Sequence, residues 1–317
     1  MIQRNLENGK VSVLLPAYKT KYLSVAISSV LAQTYKNIEL IIVDDKSPDD
    51  IKGVVDQFND ERIYYYRNKT NLGAKDPVAN WNRCLEYIQG EYFCLLCDDD
   101  VYDSHFVEDL VELAIKRKDC HVFRCKSGLI SNNGKLIDFY PSIPYWESSE
   151  DYALHLIRGL RFQTISEFLY RTEFILNKGG YVPFPKACYA DWFSVLYFSL
   201  DGGICSTNNI LSYFRDSGDN LSSVISDIPE KIDALNLFVD KVLSIYSGKN
   251  NLYCQLIFKE IHIFSNKRKY EYIGIASWKN IFLLLIGRNK KYKIPTYCFI
   301  RGLQLKLFNF FKRVKNA

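Results

Sequence analysis

The chain has 317 residues, 48% hydrophobic and 24% charged, which suits one large core with an appendage and excludes a disordered polymer. Its net charge of +5 is unevenly spread: Tyr272–Ala317 holds ten Lys/Arg and no Asp or Glu, leaving 31 basic and 36 acidic side chains in the other 271 residues. An acidic body argues against nucleic acid as a partner, because phosphate binding needs a basic surface, whereas the basic tail suits an anionic one.

In chain order, Val11–Pro16 is a β-branched apolar run stopped by proline, the pattern of a buried strand. Leu23, Ala26, Ile27, Val30 and Leu31 have helical spacing within 22–34. Ile38–Val43 reads as the second strand and ends at Asp44-Asp45; Ser47-Pro48-Asp49-Asp50 then has the form of a helix start. A strand at 63–66, a helix at 77–88, a strand at 92–96 running into Asp98-Asp99-Asp100, a helix at 105–117 and a strand at 121–124 follow. This alternation predicts βαβ units and an α/β fold with a mostly parallel sheet flanked by helices. Beyond Ser131 the pattern loosens: 138–150 reads as a loop, a helix starts at Asp151, a strand covers 164–170, and helical signals run from Pro229 onward. The chain is expected to divide into a catalytic unit at 1–225 and a helical C-terminal region at 226–317.

Ligands of such sheets bind beyond the carboxyl ends of the strands, where both acidic clusters fall. Asp44-Asp45 has two readings: hydrogen bonding to a base or ribose, or capping a turn. For Cys97-Asp98-Asp99-Asp100 the readings are a hard divalent cation, which takes oxygen ligands and phosphates, or a solvated acidic turn.

The order and spacing of several segments resemble the family 2 glycosyltransferases: Val13-Leu14-Leu15-Pro16-Ala17-Tyr18, Gln33-Thr34-Tyr35, Ile41-Ile42-Val43-Asp44-Asp45, Asn71-Leu72-Gly73, Asn80-Trp81-Asn82-Arg83, and Gly90-Glu91-Tyr92-Phe93 leading to Asp98-Asp99-Asp100. Ala190-Asp191-Trp192, Tyr213-Phe214-Arg215 and Asn220-Leu221-Ser222 extend the likeness, so that it spans about 11–225. The resemblance implies a GT-A fold and inverting transfer of a sugar from a nucleoside-diphosphate sugar, with a uridine preference, to a hydroxyl of a glycan or lipid-linked acceptor in surface-polysaccharide synthesis. It further implies that Pro16, Ala17, Tyr18 and Asp45 line the nucleobase pocket, that Asp98 meets ribose and diphosphate, and that Asp99, with Asp100 nearby, holds Mn²⁺ or Mg²⁺. Arg215 would contact the diphosphate, and Asp191 would be the general base, although a carboxylate there also suits a helix cap. Lys19, Cys97 and Asp216-Ser217 stand where the family often has Asn, Asp and His. The Gln/Arg-rich Trp motif of processive synthases is absent, which predicts single additions.

Other features compete less well. Cys94-x-x-Cys97 lies across a strand rather than opening a helix, so redox chemistry is not expected, and no second ligand pair supports zinc. Four histidines offer no triad. Met1–Lys10 lacks an apolar run, Ile281–Gly287 is too short to span a bilayer, and nine scattered cysteines read as reduced thiols. The expected location is the cytoplasm, peripheral on the inner face of the membrane. In 294–317, Ile300, Leu303, Leu307, Phe310, Phe311 and Val314 have helical spacing among basic residues, as in a helix lying in a membrane interface or packing on the body. The alternative to an enzyme is a catalytically inactive nucleotide-sugar binder or a membrane-associated interaction protein.

Overall fold

A computed structural model describes residues 5–74, 76–218 and 227–315. The first half alternates β1 (Glu7–Ala17), α1 (Leu23–Leu31), β2 (Ile38–Asp44), α2 (Ile51–Val55), β3 (Ile63–Arg67), α3 (Pro77–Leu85), β4 (Gly90–Leu95), β5 (Val101–Tyr102), α4 (Phe106–Lys116) and β6 (Val122–Ile130). Then come β7 (Leu136–Phe139), β8 (Trp146–Glu147), α5 (Ser149–Ile157), β9 (Phe168–Arg171), α6 (Thr172–Asn177), α7 (Ala190–Phe198) and β10 (Ile204–Arg215). Four helices close the chain: α8 (Ile228–Ile245), α9 (Leu252–Ile275), α10 (Trp278–Gly287) and α11 (Thr296–Lys315).

The ten strands form one sheet with the central order β3-β2-β1-β4-β9-β6-β10-β5. β1 runs parallel to β2 and β4, with Ala17 beside Asp44 and Leu14 beside Leu95. β9 is antiparallel to both β4 and β6, which restores the direction of β6, and β10 runs parallel to β6 with Arg215 opposite Ile130. The carboxyl ends of β1, β2, β4, β6 and β10 therefore share one rim. The expected parallel sheet holds for these strands, while β5, β7, β8 and β9 add antiparallel pairings.

Alternation along the strands covers both faces: Leu14, Ile41, Phe93 and Leu95 enter one core, and Val13, Leu40, Ile42 and Cys94 enter the other. Cys97 packs against the first core and Cys94 lies in the second, so the Cys94-x-x-Cys97 pair straddles the sheet as expected. The first core continues into α8 and α9 through Leu235, Phe238, Ile257 and Ile261.

Local boundaries differ in instructive ways. Asp50, rather than Ser47, caps α2 by accepting from Gly53 N at 2.9 Å. Lys46 adopts a left-handed φ of 52°, and Ser47 beyond it donates its hydroxyl to the carbonyl of Tyr18. Ser148 caps α5 through Asp151 N at 3.1 Å, starting that helix ahead of Asp151. The region read as a loop at 138–150 contains β8 and the end of β7.

Candidate functional site: an acidic rim at the strand ends

At the end of β2 the two aspartates divide their work. Asp44 is buried, accepting from Ser47 N at 2.8 Å and Tyr65 OH at 2.7 Å and pairing with Arg67 Nε at 3.2 Å. Asp45, also buried, accepts from Asn68 Nδ2 at 2.7 Å, Leu72 N at 2.9 Å and Gly73 N at 2.6 Å. A Cβ on Gly73 would stand 2.9 Å from Asp45 Oδ2, so only glycine lets the backbone come this close. Asp45 thus fastens the 68–73 loop over the rim. Asp45→Ala would strand these donors, and we expect it to cost about 2–4 kcal/mol in urea unfolding. A change under about 0.5 kcal/mol would contradict the fastening.

At the end of β1, Pro16 is half-buried, Ala17 is buried, and Tyr18 is 41% exposed. The amides of Tyr18 and Lys19 both donate to Asp98 Oδ2 at 2.8 Å, which ties the β1 end to the β4 end. Burial is the main cause that raises the Asp98 carboxyl to about 6, partly offset by these amides. Asp100 is buried and accepts from Ser166 Oγ at 2.6 Å and Arg215 N at 3.1 Å; burial and then the charge of Asp99 push it up to about 8. Asp99 is half-buried and also raised by burial, against the pull of Lys19 and Arg215. It faces a small pocket bordered by Lys19, Lys21, Tyr22, Asp98 and Ser217.

Cys97, Asp99 and Asp100 bring one ligand atom each within 4.8 Å of one another. Burial and the neighbouring carboxylates keep the Cys97 thiol protonated, far above its ordinary range, which leaves the two carboxylates as donors. Each carboxylate oxygen has lone pairs beyond one hydrogen bond, so Asp99, with Asp100 behind it, fits a hard cation that keeps phosphate oxygens as its other ligands.

Arg215 is 3% exposed at the end of β10. Its Nε donates to Asp99 O at 2.9 Å and its Nη1 to Ser131 O at 3.0 Å and Asn132 O at 3.1 Å. The guanidinium also lies 4.3 Å from the ring centre of Tyr22, whose hydroxyl reaches Asn132 Oδ1 at 3.0 Å. Arg215 therefore braces the acidic turn against the β6–β7 connection.

Asp191 sits in the first turn of α7, not at its cap; the cap position belongs to Tyr189, which has no side-chain capping bond. Of the five described non-glycine residues with positive φ, Lys186, Ala187 and Tyr189 lie in the turn just before Asp191. Such conformations cost about 1–3 kcal/mol each and persist only where packing dictates them. Here Tyr189 stacks on Phe238 of α8 at 5.2 Å and bonds the Tyr272 hydroxyl of α9 at 2.8 Å. Burial lifts the Asp191 carboxyl to about 6, with Gln163 Nε2 3.4 Å from it.

The segment 163–166 links the two acidic groups, with Gln163 on Asp191 and Ser166 on Asp100. Neither residue was singled out from the sequence, and no spacing signal marks them. Tyr140 also senses both, its hydroxyl pushed upward by burial and by the charges of Glu167, Asp100 and Asp191. Next to Ser166 in the chain, Glu167 is buried in an ion pair with Arg124 and accepts from Ser127 Oγ at 2.6 Å. The Asn220-Leu221-Ser222 segment lies outside the described residues.

A mostly parallel central sheet flanked by helices, with an acidic triplet beyond β4 on its carboxyl rim, is a GT-A type of fold. The backbone agrees: Staphylococcus aureus TarS (residues 1–349) in complex with UDP-GlcNAc superposes with a TM-score of 0.64 at 16% identity, covering 94% of this chain and 90% of that one. Mannosyltransferase PcManGT from Pyrobaculum calidifontis, in complex with GDP-Man and Mn²⁺, gives 0.57 at 13% identity over 96% and 89%. In sequence, the UDP-Glc:alpha-D-GlcNAc-diphosphoundecaprenol beta-1,3-glucosyltransferase WfgD of Escherichia coli is 29% identical over 245 residues, 75% of this chain and 90% of that protein. Residues 12–159 match the model for glycosyl transferase family 2, which identifies that segment as a family 2 glycosyltransferase domain.

Proposed function

We propose that this glycosyltransferase moves a sugar from a nucleoside-diphosphate sugar, a UDP-sugar in our reading, to a hydroxyl of a glycan or lipid-linked acceptor in surface-polysaccharide synthesis, inverting the anomeric centre. The observation that supports the proposal is the 163–166 segment, which touches the raised carboxyl of Asp191 through Gln163 and the acidic turn through Ser166. WfgD, whose name records a UDP-Glc donor and a diphosphoundecaprenol-linked acceptor, supports the donor and acceptor classes. We assign the catalytic unit to 1–225 and a supporting helical region to 226–317.

In this reading Pro16, Ala17 and the exposed ring of Tyr18 flank the base, with Asp45 holding the 68–73 loop over it. Asp98 fixes the Tyr18–Lys19 turn beside the ribose and diphosphate. Asp99, backed by Asp100, holds Mn²⁺ or Mg²⁺, which when bound supplies positive charge to the departing diphosphate. Arg215 contributes its fixed cation to the same end of the site and keeps Asp99 in register. Asp191 takes the proton from the acceptor hydroxyl as it attacks the anomeric carbon, and the transition state has oxocarbenium character. The acceptor is met at the inner face of the cell membrane, with 294–317 towards the lipid.

Calorimetric titration of nucleoside diphosphates with and without Mn²⁺ tests the donor half. The expected result is metal-dependent binding of UDP ahead of the others. Metal-dependent binding of another nucleotide would replace the uridine assignment, and binding without turnover on any acceptor would favour an inactive nucleotide-sugar binder.

A further inference from the structure

Helix α10 has two apolar sides and buries only one. Ile281 and Leu284 join a small core with Ile228 and Ile232 of α8 and Ile273 of α9. Trp278, Phe282, Leu285 and Ile286 point the other way, at offsets of four, seven and eight residues that define a single helical face. They are 64%, 63%, 50% and 71% exposed. Lys306 of α11 lies 5.2 Å over the ring of Trp278, which joins this face to the outer side of α11, where Leu307 and Phe308 are 48% and 64% exposed. α11 packs inward through Cys298, Phe299, Gly302 and Leu303, whereas Ile300 and Leu307 of the expected stripe are exposed.

Charge identifies what covers the face. The segment Tyr272–Ala317, which includes α10 and α11, holds ten Lys/Arg and no Asp or Glu. Lys291 and Lys293 reach Asp233 and Asp240 of α8, whereas Lys279, Arg288 and Lys290 have no acidic partner among the described residues. A second copy of the same face would set like charges against one another, but an anionic surface neutralises them. No helix among the described residues is long and apolar enough to cross a membrane, and α10 has only ten residues, so the geometry is that of a helix lying in the interface.

We propose that α10 seats the enzyme on an anionic lipid bilayer, with Trp278, Phe282, Leu285 and Ile286 inserted at headgroup depth and the flanking Lys/Arg on lipid phosphates. This deepens the membrane-facing reading above and moves its centre from the 294–317 tail to α10.

The test uses the full chain and vesicles of phosphatidylglycerol with phosphatidylethanolamine, compared with pure phosphatidylcholine. Sedimentation should show binding to the anionic vesicles that weakens with salt. Brominated lipid should quench tryptophan emission in the wild type, and Trp278→Phe should remove most of that quenching. Phe282→Ser with Ile286→Ser, both at exposed positions and expected to leave circular dichroism unchanged, should weaken binding by about tenfold or more. Undiminished binding by the double variant would overturn the proposal. So would a wild type that ignores anionic vesicles, or one that forms dimers through this face instead. Donor hydrolysis is measured alongside: its absence in the wild type would strike the transferase reading and leave the lipid result standing.

Discussion

Asp191→Asn is expected to lower kcat by about 10²- to 10⁴-fold while leaving nucleotide affinity close to that of the wild type. The amide keeps the size of the carboxylate but cannot take a proton from the acceptor hydroxyl. In the proposed reading donor binding rests on the strand ends of β1, β2 and β4, with Asp191 on α7, so the two readouts should separate. The pH profile gives a second signature. Burial raises the carboxyl to about 6, and the base works only when deprotonated, so the rate should fall as pH drops through about 6. The variant's residual rate should lose that limb. Wild-type turnover in Asp191→Asn would remove this residue from the chemistry.

Asp99→Ala is expected to abolish metal-dependent nucleotide binding and to reduce kcat/KM by about 10³-fold or more, since positive charge on a departing diphosphate contributes several kcal/mol. The choice among the three aspartates follows from their existing partners. Asp98 Oδ2 is engaged by two amides, and Asp100 is buried with a donor on each oxygen. Asp99 alone of the three both borders the small pocket and belongs to the group of ligand atoms within 4.8 Å. The check is a Mn²⁺ titration of UDP binding and turnover; stimulation within tenfold of the wild type would exclude Asp99 as a principal ligand.

The first hundred residues were legible because β1, β2 and β4 carry short apolar runs that meet proline or acids, and α1 has clear spacing. Local periodicity could not reveal β10. Its Ser206-Thr207-Asn208-Asn209 stretch interrupts the apolar pattern, and the register with β6 shifts at that point. The tyrosine and arginine that end β10 were noticed as a motif, but not as the tip of a 12-residue strand. The same limit hid Ser166 and Gln163. Their importance comes from β9 reversing direction between β4 and β6, a nonlocal arrangement that places an ordinary Gln and Ser against two carboxylates. Both acidic clusters were visible, but the sequence left open what each carboxylate does. Asp44 and Asp45 both organise turns at the edge of the site, which is the second of their two expected behaviours.

Three left-handed residues lead into Asp191, and the last of them, Tyr189, is tied to α8 and α9 by its stack on Phe238 and its bond to Tyr272. The position of this carboxylate therefore depends on residues more than forty positions further along the chain. The residues proposed for donor recognition, by contrast, lie in the first hundred apart from Arg215. Evolution could then replace the closing helices to suit a new acceptor while keeping an inherited nucleotide site, provided that each replacement still carried a clamp for that turn. Chimeras that graft only the front half onto a foreign helical layer would bind donor and stay idle until the clamp was restored.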